Sequence, residues 1–303
     1  MRRKLLFLVN PKAGQQELRT HLLEMIDIFT AGGYDVTVHT TQGPGELTTW
    51  LRTYGSAYDL AVCAGGDGTL NEAVSGLMEM EEPPVLGYIP GGTVNDVAHS
   101  LNLSRDPVQA ARDIVAGEPV DIDVGRFCGE KWFTYVAGFG AFTDVPYETP
   151  QADKRALGRL AYLLKGAKSL VGIKPIPMRM YVEDKVIEED VLLGLVCSTT
   201  SVGGFNAKDL MDGVRLDDGL SEVIVVKNIT SLQDLNGLST LLTKREFDPR
   251  FFHTFQTGRV RFEFPQPVKW TLDGEFGGAV QSAEIENCRK ALKIIVPNKE
   301  HRP

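Results

Sequence analysis

An apolar run over residues 59–64 (Asp-Leu-Ala-Val-Cys-Ala) leads directly into Gly65-Gly66-Asp67-Gly68-Thr69, and that pentad leads into a helical-looking run over residues 69–80. A strand, a glycine loop and a helix in that order bring a backbone against an anion. Glycine has no Cβ to hold the main chain away, and the unsatisfied N–H groups of a helix start face the ligand. Asp67 is out of place in a loop of this kind, because a carboxylate repels phosphate unless a metal ion or a held water lies between them. The combination points to phosphoryl transfer rather than to anion binding alone.

The same alternation continues through the first 123 residues, with strands predicted over 4–9, 35–40, 59–64 and 85–89. Leu18, Leu22, Met25, Ile26 and Phe29 recur at three- and four-residue spacing, one face of a helix that stops near Gly32-Gly33. This alternation implies a Rossmann-like α/β domain, a parallel sheet with helices on both faces. Such sheets bind ligands beyond the carboxyl ends of their strands. Three glycine-rich loops follow strands here, over residues 10–14 (Asn-Pro-Lys-Ala-Gly), 65–69, and 90–96 (Pro-Gly-Gly-Thr-Val-Asn-Asp).

From about Val124 the pattern becomes short Val-, Ile-, Phe- and Tyr-rich runs separated by Gly, Asp and Asn, over 132–136, 177–182, 191–197, 222–226, 259–264 and 268–272. These predict an antiparallel β-sandwich. Helical interruptions are expected over 153–171 and 231–242. The domain boundaries are drawn at 1–123 and 124–288. The last run, 292–296, suits either domain by itself.

A net charge of −8 argues against a general nucleic-acid binder, which is normally basic. Cys63, Cys128, Cys197 and Cys288 lie far apart and read as reduced thiols in a cytoplasmic protein. The five histidines show no metal-ligand spacing. No apolar run approaches the ~18 residues of a membrane span. Arg2-Arg3-Lys4 before the apolar residues 5–9 only faintly mimics a leader, because Asn10-Pro11 breaks the run. Any lipid is therefore expected to be reached from the water side.

The loops are neither a Walker A motif nor a Gly-x-Gly-x-x-Gly fingerprint. Lys12 is either a cation beside a phosphate or a solvated lysine, and Thr93 offers a hydroxyl. Asn95 and Asp96 suit a helix cap over 97–101 and equally a role in the chemistry, two readings that are compatible. In the second half, Leu216-Asp-Asp-Gly-Leu220 is either a hairpin turn or a hard-cation site. Leu272-Asp-Gly-Glu275, followed by Phe-Gly-Gly, either turns the chain or holds Glu275 at an interdomain cleft, where it would take a proton from an attacking hydroxyl.

Taken in order, Asn10-Pro-Lys-Ala-Gly14, Gly65 to Glu72, Gly92-Thr-Val-Asn-Asp96, Asp217-Asp-Gly-Leu220 and Leu272-Asp-Gly-Glu275 resemble the diacylglycerol kinase catalytic family, and within it the soluble bacterial lipid kinases. The segments Gly138-Phe-Gly-Ala-Phe-Thr and Ser201-Val-Gly-Gly-Phe extend the likeness between those motifs. The resemblance implies ATP- and Mg²⁺-dependent phosphorylation of a lipid hydroxyl, most simply that of diacylglycerol. It implies nucleotide contacts from Asn10, Pro11, Lys12, Ala13, Gly14, Thr41, Gly65, Gly66, Asp67, Gly68, Thr69, Leu70, Asn71 and Thr93. It implies Glu275 as the general base, with Asp67 and Asp96 organising water around the catalytic Mg²⁺. Asp218, with main-chain oxygens of Arg215 and Leu220, would hold a structural Mg²⁺. The family fold also implies that residues 289–303 return to the first domain. Val97 and His99 stand where the family often has Phe and Arg, which makes a cation there pH-dependent.

Residues 153–174 carry Lys154, Arg155, Arg159, Lys165, Lys168 and Lys174 against one acid, Asp153. Leu157, Leu160, Leu164, Ala167 and Val171 form a packing stripe, whereas Leu163 and Leu170 fall toward Arg155 and Arg159. Leucine beside cations suits an anionic lipid surface, so transient contact with the inner membrane surface is expected; an ordinary packed helix is the alternative. A homodimer is left open. Competing readings are a kinase of phosphatidylglycerol, of a sphingoid base or of NAD, and a nucleotide-binding regulator without turnover.

Overall fold

The structure is a computed structural model that describes residues 2–13, 17–92, 95–141, 174–199, 214–229, 234 and 248–298, with the backbone of 201–202 and 205–206. Gly14, Thr93, the basic segment before Lys174 and, except for Asp234, the helix expected over 231–242 lie outside the described residues. The chain divides into two compact units, Met1–Asp123 with Lys290–Pro303, and Val124–Arg289.

The first unit alternates strands and helices: β1 (Arg3–Val9), α1 (Glu17–Thr20), α2 (Leu22–Ala31), β2 (Tyr34–Thr40), α3 (Glu46–Tyr54), β3 (Leu60–Gly65), α4 (Asp67–Met78), β4 (Val85–Pro90), α5 (Asp96–Ser100) and α6 (Pro107–Ala116). β3 is buried at every position, as befits a strand covered on both faces. Leu5, Phe7 and Val9 join Leu60, Val62 and Ala64 in a core completed by Met25 and Phe29 of α2 and by Ala110, Ala111 and Ile114 of α6. Leu6, Leu8, Ala61 and Cys63 alternate to the other face and are also buried. Buried residues of α3 and α4 pack together so closely that a Cβ on Gly76 would lie 2.9 Å from Leu51 Cβ and from the Thr48 carbonyl. The helix predicted from Leu18 to Phe29 is divided at His21 (φ −99°, ψ 7°) into α1 and α2.

The strands run parallel in the order β4-β3-β1-β2, with Gly65 opposite Pro90 and Val9 opposite Ala64. All three glycine loops therefore leave the same edge of the sheet. Beyond β4, Ile294 pairs in parallel with Leu86.

The second unit is an antiparallel β-sandwich. Its strands are β5 (Glu118–Phe127), which starts in the first unit, β6 (Lys131–Phe133), β7 (Val136–Gly140), β8 (Ile176–Val182), β9 (Lys185–Cys197), the short pair β10 (Ser201–Val202) and β11 (Phe205–Asn206), β12 (Ser221–Lys227), β13 (Phe252–Thr257), β14 (Arg259–Leu272) and β15 (Glu275–Val296), whose last residues, from Lys290, belong to the first unit. The main order is β13-β12-β9-β7-β14-β15, with β8 paired to β9 and β14. Trp270 lies among Phe127, Phe139, Phe262 and Phe264 at ring separations of 4.7 to 6.4 Å. The runs predicted over 259–264 and 268–272 are one strand, β14, carried past Pro265 and Pro267 by a register shift between Glu263 and Val268. The strand predicted over 132–136 is instead broken between β6 and β7. The N–H groups of Thr134 and Tyr135 go to a carboxylate rather than to a neighbouring strand.

Candidate active site

In the first unit the pentad does what its composition requires. Gly65 ends β3, and Gly66 is the N-cap of α4 in extended conformation (φ −85°, ψ −173°). Asp67 opens the helix, where a carboxylate is favoured by the positive end of the dipole. Gly68 is exposed, Asn71 is half-buried, and Thr69 and Leu70 are buried. A side chain at Gly65 would put its Cβ 2.3 Å from Thr69 Oγ1, so only glycine lets the helix start so close to the strand.

The first loop is tied to the pentad. Asn10 donates its backbone N–H to the Ala64 carbonyl at 2.9 Å and its Nδ2 to Thr69 Oγ1 at 3.1 Å. Its own Oδ1 accepts from Lys12 N, and Ala13 N closes the turn on the Asn10 carbonyl. Arg19 holds the Pro11 carbonyl, and Lys12 is exposed. Thr41, 8% exposed, donates its N–H to the Val9 carbonyl. The chain beyond it is pinned by Glu46, which accepts from Gln42 N, Gly43 N and His39 Nε2. The Gln42 N–H above all, then His39, lowers the Glu46 pKa.

The third loop packs on the second backbone to backbone. A Cβ on Gly92 would meet Gly66 Cα at 2.8 Å, and Gly91 N reaches the Gly65 carbonyl at 2.6 Å. Asn95 occupies the N-cap position of α5 in the left-handed region (φ 55°, ψ 53°), but its side chain makes no capping bond. It turns back to Gly92, accepting from its N–H at 2.9 Å and donating to its carbonyl at 2.8 Å. The capping alternative for Asn95 therefore fails; the loop takes the side chain that a cap would have used. Asn95 N–H donates to Asp67 Oδ2 at 3.0 Å, and Asp96 follows, 3% exposed. His99 is exposed. Buried Tyr88 reaches Gly65 and Asn95, a link invisible in sequence because an aromatic residue in a strand reads as core.

The second unit holds a separate constellation. Leu272 pairs with Glu275 across a two-residue hairpin whose central residues, Asp273 (φ 50°) and Gly274 (φ 83°), both take positive φ. That is the geometry for which Asp-Gly is selected. Asp273 is 5% exposed, and its carboxylate accepts from Thr134 N, Thr134 Oγ1, Tyr135 N and Val136 N at 2.6 to 3.1 Å. Asp273 thus fastens the turn to the β6–β7 junction, while Glu275 stands exposed one residue past it. In the other acidic loop, Asp218 Oδ1 accepts from Leu220 N at 2.9 Å, Gly219 has φ 85°, and exposed Arg215 pairs with Asp217 rather than with Asp218. Among the described residues no three His, Cys, Asp or Glu side chains gather as a metal cage.

Comparison with known proteins is consistent along the chain. The family model described as the diacylglycerol kinase catalytic domain matches residues 4–127, and that of the YegS C-terminal NAD kinase beta sandwich-like domain matches 137–296. A diacylglycerol kinase of Bacillus subtilis (strain 168) is 32% identical over 295 residues, 96% of this chain and 95% of that protein. One from Staphylococcus saprophyticus is 31% identical over 301 residues, covering 98% and 97%. A solved chain from Bacillus anthracis str. Sterne superposes with a TM-score of 0.84 at 26% identity, covering 99% of this chain and 98% of its own. A second solved chain, a diacylglycerol kinase of the same strain, has a TM-score of 0.77 at 24% identity and shares the fold over 99% of this chain and 98% of its own.

Proposed function

The chain belongs to the diacylglycerol kinase catalytic family, and from that premise we propose that it transfers the γ-phosphoryl group of ATP to the hydroxyl of diacylglycerol, giving phosphatidic acid. The observation that carries this reading is the interlock of the pentad with the third loop. It leaves Asp67, fixed by Asn95 N–H, at the N-terminus of α4, where phosphate oxygens are received by backbone amides.

Asn10, Pro11, Lys12, Ala13, Gly14, Thr41, residues 65–71 and Thr93 form the nucleotide site in this reading. Asp67 and Asp96 offer carboxylate oxygen, the donor chemistry of a hard cation. Mg²⁺ needs no complete protein cage, because it keeps several waters and binds through one or two carboxylates plus phosphate. When bound there, Mg²⁺ supplies positive charge to the phosphates of the donor. Asp218, with the carbonyls of Arg215 and Leu220, suits a second, structural ion. Glu275 accepts the proton of the lipid hydroxyl as it attacks in line. The rigid hairpin limits its search, and its exposure admits a large acceptor. Residues 154–174 make peripheral contact with an anionic membrane. Unchanged vesicle co-sedimentation after charge reversal at Arg155, Arg159 and Lys165 would remove them from that role.

The deciding experiment presents purified protein with radiolabelled ATP and Mg²⁺ to diacylglycerol, phosphatidylglycerol and sphingosine in mixed micelles, and to NAD in solution. Label is expected in phosphatidic acid. Label confined to another product replaces the acceptor, and no label in any product leaves the regulatory reading.

A further inference from the structure

Tyr88 lies on β4 opposite Cys63 and is 1% exposed. Its hydroxyl faces two acceptors, the Gly65 carbonyl at 3.1 Å and Asn95 Oδ1 at 3.3 Å. One belongs to the pentad and the other to the loop after β4. A phenol has a single proton, so the two loops share one donor. Burial above all, then the charges of Asp67 and Cys63, holds the phenol pKa well above its ordinary value, and the group stays a donor.

Each acceptor is also used by the third loop, Gly65 O by Gly91 N at 2.6 Å and Asn95 Oδ1 by Gly92 N at 2.9 Å. Asn95 needs this support, because a non-glycine residue holds left-handed backbone only when its surroundings over-determine it. A phenylalanine would fill the same space, whereas a hydroxyl buried this deeply persists only where it is bonded.

We infer that Tyr88 is a positioning residue: its hydroxyl fixes the Asn95 side chain and, through Asn95 N–H, the carboxylate of Asp67. The path runs from Tyr88 Oη to Asn95 Oδ1, and from Asn95 N to Asp67 Oδ2. Its importance for turnover rests on the reading of Asp67 as the carboxylate that serves phosphoryl transfer.

The test is Tyr88→Phe, followed by hydrogen exchange on the protein without nucleotide and by Mg²⁺ titration of ATP turnover. Exchange at Gly91, Gly92 and Asn95 should quicken about tenfold, as for loss of one hydrogen bond from a local opening, with α2 and α6 amides unchanged. Half-saturating Mg²⁺ should rise with KM for ATP nearly constant. Wild-type exchange at Asn95 in the variant overturns the inference. So does a Tyr88→Leu variant that loosens the loop when Tyr88→Phe does not, since packing alone would then explain the residue. A wild-type protein that consumes no ATP with any acceptor defeats the reading of Asp67, while the exchange result still decides the role of Tyr88.

Discussion

At the scale of single residues, the two carboxylates proposed for the chemistry are held in opposite ways. Asp67 is half-buried at a helix start and fixed by a neighbouring amide, whereas Glu275 is exposed beyond a clamped turn. Glu275→Gln keeps the size of the side chain and removes its basicity. It should retain ATP affinity and lose about 10²- to 10⁴-fold in kcat, the usual share of a general base. Nucleotide binding by calorimetry beside turnover separates the two, and near-normal turnover would take Glu275 out of the mechanism. Both carboxylates stand out in sequence beside glycines, although the residues alone left Glu275 open between a turn and a base and only the family resemblance implied its role. The roles of Tyr88 and Asp273 were not legible. A tyrosine in an apolar strand and an aspartate before glycine each have an ordinary local explanation, and only the fold supplies their partners: for Tyr88, Asn95 seven positions on across a loop and Gly65 23 positions back, and for Asp273, Thr134 139 positions away.

At the scale of elements, the β14–β15 hairpin rests on one buried acid. Asp273→Ala strips the acceptor from three backbone N–H groups and a hydroxyl, and each buried donor left unmet costs about 1–3 kcal/mol. A loss of about 3 kcal/mol or more is expected, a fall in Tm on the order of 6–12 °C, measurable by calorimetry. Asp273→Asn, which keeps an acceptor oxygen, should lose less. A second tie joins β5 to β15, where Arg126 bonds Glu286. The Arg126 hydrogen bond chiefly lowers the Glu286 pKa. A depressed carboxylate stabilises the fold above its unfolded pKa, and that contribution disappears as pH falls through the folded value. The stability advantage of wild type over Glu286→Gln in urea should therefore be full at neutral pH and shrink below about pH 5. A gap that stays constant to pH 3, about two units lower, would show that the charge contributes nothing.

At the scale of the whole molecule, the first unit is discontinuous in sequence. Leu292, Ile294 and Val296 are 2%, 0% and 8% exposed, and Ile294 pairs with Leu86 on β4. Each such side chain contributes about 1.5–3 kcal/mol when buried, so together they approach the entire stability of an ordinary domain. Truncation after Arg289 should leave a protein that is insoluble or that melts well below wild type in a thermal scan. A truncated chain melting within about 2 °C of the intact one, less than 1 kcal/mol for a unit of this size, would contradict that expectation. The sequence by itself determined the α/β character of the first part, the strand-rich character of the second, and three glycine-rich loops on one sheet edge. Apolar periodicity, glycine placement and turn chemistry act over a few residues and can be read without a fold. Only the tertiary structure decided that Asn95 serves a loop instead of a helix cap, that Asp273 interrupts a predicted strand by taking its amides, and that Tyr88 joins two loops. Those choices are set by hydrogen-bond partners that only the fold brings together, three positions apart for Asn95 and Gly92 and 139 for Asp273 and Thr134, where several locally adequate arrangements compete and only the packed chain selects among them.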